Sequence, residues 1–162
     1  MRLRNQYDLR TIWYVPRTSS RTYATTENVG FLLAKASQRF NELLVERFAA
    51  RGFGEVRASH GSVLVPLFER DGMRLGELAA AARLSKQSMT GLVKDCERSG
   101  LVERERDPVD GRAFNVRLTG RGRAFREVAR DVLRELDAEL VRSLGTRNRD
   151  ALISALKGVV EL

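Results

Sequence analysis

Apolar side chains recur at three- and four-residue steps from about Glu27, at Leu33, Ala36, Phe40, Leu43, Leu44 and Phe48, with Lys35, Arg39, Glu42 and Glu46 between them. That spacing lays one stripe along a helix, and Gly52 is placed to end it. A shorter helix is predicted from about Arg57 to Glu69, burying Val63, Leu64, Leu67 and Phe68, with Pro66 a cause of a kink or an early end. Gly72 then breaks the chain, and Leu75, Leu78, Ala79 and Ala82 give a short apolar face. The segment "RLSK" makes a turn, Ser85 is placed to cap the next helix, and Met89, Leu92, Val93 and Cys96 follow i, i+3, i+4, i+7 as its buried stripe. Gln87, Thr90, Gly91, Lys94 and Arg98 fall on the other side, and Gly100 stops the helix.

The period then changes from helical to alternating. "LVERERD" and "AFNVRLT" flank "PVDG", so two strands of a hairpin are predicted around an exposed turn at Pro108, Asp110 and Gly111 that leads to Arg112. Thr119 is a helix cap, after which Phe125, Val128, Ala129, Val132, Leu133, Leu136, Leu140 and Leu144 form a long stripe. It is longer than a compact domain needs for its own core and points to a partner. A last helix is expected to bury Leu152, Ala155, Leu156 and Val159.

The 162 residues carry 29 Lys and Arg against 21 Asp and Glu, a formal charge of +8 that favours a polyanionic partner. The first 26 residues hold five Arg and one Asp and show no sustained period. They read as a basic arm outside the main domain, or as residues not native to it. One cysteine, Cys96, and one histidine, His60, leave little for an internal disulfide or a zinc site. No apolar run approaches the roughly 20 residues of a membrane span. A cytoplasmic protein without cofactor or membrane partner is expected.

A helix-turn-helix followed at once by a two-stranded hairpin is a winged helix. The apolar stripe of its second helix seats it on the core, so that the polar side can enter a major groove about 12 Å wide. The hairpin turn carries an arginine toward the adjacent minor groove.

From Leu75 to Gly122, "LGELAAAARLSKQSMTGLVKDCERSGLVERERDPVDGRAFNVRLTGRG" resembles the MarR family of transcription regulators. The specific part is "GLVERERDPVDGR" followed by "VRLTGRG", in which glycine, strand, Asp-Pro, Asp-x-Arg, strand and Leu-Thr stand in the family's order. The likeness in helix layout runs over residues 27–162. It implies a mainly α fold with a small β-hairpin wing: a winged-helix region at 55–118, flanked by N- and C-terminal dimerisation helices at 27–52 and 119–162. A homodimer of this kind reads a pseudo-palindromic operator in double-stranded DNA and is released, in many relatives, by a small aromatic ligand.

By the resemblance, Gln87, Thr90 and Lys94 face the groove, while Ser85, Lys86 and Ser88 at the helix start suit phosphate. Arg112 matches the wing arginine and Asp110 orients it. Gly111 departs from the pattern, since many relatives carry a second basic residue there. Arg104 or Arg106 is a further phosphate contact, or "VERERD" is simply a solvated strand face. His60 lies near the effector cleft of relatives, as a ligand contact or as a local structural hydrogen bond. Cys96 reads as a packing residue. The alternatives to a specific regulator are a sequence-tolerant architectural DNA binder and an enzyme. No nucleophile-and-base arrangement supports the last.

Overall fold

The computed structural model describes residues 28–107 and 113–162. The basic arm at 1–26 and the wing turn with Pro108, Asp110, Gly111 and Arg112 lie outside the described residues. The chain divides into two compact units, 1–36 and 37–162. Residues 28–36 of the first unit open helix α1 (Val29–Ala50). There the Asn28 side chain accepts from the Gly30 amide at 2.8 Å, and the Lys35 ammonium stands 5.9 Å from the Phe31 ring centre.

The rest of the architecture belongs to the second unit. Helix α1 ends where Gly52 turns left-handed (φ 83°). Its amide closes on Ala49 O and that of Phe53 on Phe48 O, a glycine C-terminal cap. The turn brings Phe48 and Phe53 onto Phe125, with ring centres 4.9 and 5.1 Å apart.

A 3-10 turn at Ala58–His60 leads into α2 (Gly61–Glu69), and Val63, Leu64 and Leu67 are buried along it. Pro66 does not end the helix early, because the Arg70 amide still closes on the Pro66 carbonyl and one turn remains after it. Strand β1 (Met73–Arg74), helix α3 (Leu75–Ala81) and helix α4 (Lys86–Arg98) follow. Strands β2 (Val102–Arg106) and β3 (Phe114–Leu118) and helices α5 (Gly120–Leu144) and α6 (Thr146–Val160) complete the chain.

The sheet has three antiparallel strands in the order β1-β3-β2, where the alternating pattern predicts two. Met73 pairs with Val116, and Val102 to Arg106 pair with Leu118 back to Phe114. The expected alternation holds in β3, where Val116 and Leu118 are buried. In β2 only Val102 is buried, since the strand leaves the core at once and exposes both faces.

The core gathers Leu64, Leu67, Leu78, Met89, Val93, Cys96, Leu101, Val116 and Val132, all below 2% exposed. The α4 stripe is therefore the seat of that helix. Burial, and behind it the nearby Asp95, pushes the Cys96 thiol up to about 12. A thiol so placed is a packing group without thiolate chemistry near neutral pH.

The last helix departs from expectation. α6 contributes no buried residue, and Leu152, Leu156 and Val159 are 41, 38 and 43% exposed. Their spacing is that of a buried helix face, but no described residue of the single chain covers it; α6 docks on α5 through Arg149, whose guanidinium lies 2.6 Å from Asp137.

Candidate nucleic-acid interface

The turn between α3 and α4 closes as a left-handed helix cap built on an arginine. Arg83 has φ 52°, its amide bonds Ala80 O, and the Leu84 amide bonds Ala79 O. Glycine would do this with less strain. Ser85 then caps α4 as expected: its extended backbone turns the side chain onto the Ser88 amide at 3.1 Å, and the two hydroxyls share a bond of 2.9 Å. The other amides of that first turn stay available, and together with the helix dipole they favour a phosphate there.

Lys86, Gln87, Ser88 and Lys94 are exposed along α4. Among the described residues Lys86 and Lys94 form no ion pair. Thr90 is half-buried and donates its proton to Lys86 O at 2.7 Å. Its oxygen keeps lone pairs to accept with. Arg98, on the same side, is held by Asp95. Gly91 stands between Gln87 and Lys94 with no protein atom within 4 Å of a would-be Cβ.

The far end of α4 is tied to the wing. Ser99 ends the helix and Gly100 (φ 66°) turns back, with Gly100 N on Glu97 O and Leu101 N on Cys96 O. Glu97 then reaches Arg104 on β2 at 2.9 Å. Arg104 is thus a tie between wing and helix, and Arg106, at the end of β2 across from Phe114, is exposed. Phe114 is itself 48% exposed. Arg117 and Glu105 pair across the strands at 2.5 Å.

A second tie, which the pattern alone did not single out, fixes the wing base. Asp107 is 8% exposed and accepts both Nε (2.9 Å) and Nη2 (2.7 Å) of Arg74 on β1. Asp71 accepts the Leu118 amide at 2.9 Å. At the start of α5, Thr119 accepts the Gly122 amide and donates to Gly100 O at 2.6 Å.

Two cavities are lined by these elements and their neighbours. One, about 440 Å³, is walled by Leu44 and Phe48 of α1, Leu64 and Phe68 of α2, and Phe125 and Leu133 of α5, with Arg126 and Arg130 also on its wall. The other, about 530 Å³, is polar, and His60 lines this one and not the apolar one. His60 is 3% exposed and its Nδ1 accepts the Arg57 amide at 3.4 Å, the local hydrogen bond weighed from the sequence. Among the described residues no three or more His, Cys, Asp or Glu side chains gather as a metal site, and no helix is long and apolar enough to cross a membrane.

A helix seated by its apolar stripe, capped at a turn, exposed along a cationic side and followed by a projecting strand pair defines a winged helix-turn-helix DNA-binding regulator. The MarR family model matches residues 63–113. An HTH-type transcriptional regulator of Mycobacterium leprae is 33% identical over 107 residues, covering 66% of this chain and 75% of that protein. The HTH-type transcriptional repressor YetL of Bacillus subtilis is 32% identical over 90 residues, 54% of this chain and 52% of that one. Among solved structures, the transcriptional repressor CouR bound to a 23-mer DNA duplex superposes with a TM-score of 0.73 at 26% identity, over 88% of this chain and 99% of that one. The chain belongs to the MarR family of transcription regulators.

Proposed function

We propose that the protein is a cytoplasmic repressor that binds a pseudo-palindromic operator as a homodimer and is released by a small aromatic acid. The observation that carries the DNA reading is the outward side of α4. Lys86, Gln87, Ser88 and Lys94 are exposed there without a carboxylate partner among the described residues, around a glycine that leaves the helix surface open. In this reading Gln87 reads a base edge, since a carboxamide can pair with adenine. Lys94 and the hydroxyl oxygen of Thr90 lie beside it, and Ser85, Lys86 and Ser88 hold phosphate at the helix start. Arg106 follows the backbone along the wing, and Arg112 enters the minor groove.

The exposed face of α6, with Leu152, Leu156 and Val159, supports the dimer, because an apolar helix face of this kind is normally covered. Two-fold symmetry then sets two half-sites about 10 base pairs apart. The apolar cavity supports the effector: aromatic and aliphatic walls suit a small ring, and Arg126 suits its carboxylate. Its walls come from α1, α2 and α5. A ligand there acts by favouring one arrangement of the two recognition helices over another, and needs unequal affinity for the two.

The test is a titration of the protein against its own promoter fragment and against random duplex of equal length, near physiological salt. A ratio of about a thousandfold or more is expected of a specific regulator. Equal affinity for both would favour a sequence-tolerant architectural binder.

A further inference from the structure

The polar cavity of about 530 Å³ has no place in the function proposed above. Its walls come from the segment after α1, with Glu55, Arg57 and His60, from the last turn of α4, with Asp95 and Arg98, and from Arg121 at the start of α5. Both carboxylates are already engaged. Glu55 accepts Nε of Arg121 at 3.0 Å, and Asp95 is paired with Arg98. Arg57 has no carboxylate within ion-pair distance among the described residues, so the cavity keeps one uncompensated cation.

His60 adds a donor. Its Nδ1 is occupied by the Arg57 amide, so the neutral ring carries its proton on Nε2, for which the described residues supply no partner. Most of the ring is buried, but no buried side-chain nitrogen or oxygen among the described residues lacks a partner, so the free Nε2 is the edge that meets the cavity. An N–H that opens onto the cavity beside an unbalanced guanidinium is a place for an oxygen bearing negative charge.

We infer that this cavity binds a small oxyanion, a carboxylate or a phosphate ester, held between the Arg57 guanidinium and the His60 Nε2–H. The polar walls favour a hydrophilic anion, which separates this ligand from the aromatic one proposed for the apolar cavity. Arg57 lines both cavities, and Asp95 and Arg98 belong to the recognition helix. An anion here therefore touches the elements that an effector and DNA would both use.

The electrostatics agree with this placement. Burial holds the imidazole below its ordinary value, against the pull of Asp95 and then of Glu55, with Arg57 pushing down as well. A bound anion favours the imidazolium and moves that value up.

The chain has one histidine, so its ring resonances report this site without ambiguity. The experiment follows those resonances by NMR in the full chain as inorganic phosphate or, separately, acetate is added to millimolar levels, with ionic strength held by chloride. Saturable movement with an upward shift of the His60 titration is expected for at least one of the two. Phosphate alone would mark the ligand as a phosphate ester, acetate alone as a carboxylate, and both as any small oxyanion. Arg57→Gln, at an exposed position that should leave the fold intact, should weaken binding about tenfold or more. Arg126→Gln, on the apolar cavity only, should leave it unchanged. Failure of both anions to saturate, or saturation indifferent to Arg57→Gln, overturns the site. Loss on Arg126→Gln does so too, by placing the anion in the apolar cavity. Each outcome is read without DNA, so it stands apart from the operator titration.

Discussion

Gly91 shows how a single residue divides between stability and function. Glycine inside a helix costs about 0.5–1 kcal/mol relative to alanine, and here no neighbouring protein atom requires it. Gly91→Ala should therefore raise denaturant stability by about that amount and weaken operator binding, because the methyl would stand between α4 and the groove. A stability gain with unchanged DNA affinity would remove close approach from the reading. His60 is the second residue with a measurable signature. Its folded value lies below the ordinary 6.5, so the unfolded chain binds more protons in the window just below 6.5 and stability must fall as pH drops through it. His60→Gln should flatten that slope between about pH 7 and the lower folded value; an identical slope in both proteins would show that the ring is not the source. At this scale the sequence was legible where chemistry is local. Ser85, Gly52 and Gly100 cap as their types suggest, whereas the left-handed Arg83 gave no signal, since nothing in its side chain asks for positive φ.

At the scale of elements, the wing is positioned at its base by Glu97 on Arg104, Asp107 on Arg74, Asp71 on the Leu118 amide and Thr119 on the Gly100 carbonyl. A Cβ on Gly122 would lie 2.1 Å from the Leu101 carbonyl oxygen, so the first turn of α5 can pack against the segment between α4 and β2 only through glycine. Gly122→Ala should cost about 3 kcal/mol or more, read as a lowered thermal midpoint; an unchanged midpoint would mean that this approach is not a constraint on the fold. The helices could be read from their 3.6 period and β3 from its alternation. Strand β1 could not, because two residues carry no period and its partner lies some forty positions further on. The Arg74 tie to Asp107 was hidden for the same reason. Asp107 reads as part of an Asp-Pro turn, and only the folded sheet brings it to an arginine on β1. Likewise β2 looked alternating by composition, but alternation matters only where one face meets a core.

For the whole molecule, the controlling fact is an apolar face that no described residue covers. The period of α6 was legible and the resemblance assigns residues 119–162 to dimerisation helices; within the single chain Leu152, Leu156 and Val159 are exposed. The proposed homodimer would cover this face, and Leu156→Glu should then shift sedimentation from dimer toward monomer and reduce operator affinity with it. A monomeric wild-type protein at micromolar concentration would remove the symmetric operator. The net charge of +8 accounts for attraction to any duplex, so affinity alone does not distinguish reading from sticking. The decisive measurement compares Gln87→Ala with wild type on the operator and on random duplex at the same salt. A loss of about 1–3 kcal/mol on the operator with no change on random DNA is expected if α4 reads bases. An equal loss on both, or none on either, would contradict the claim that this helix is the sequence reader.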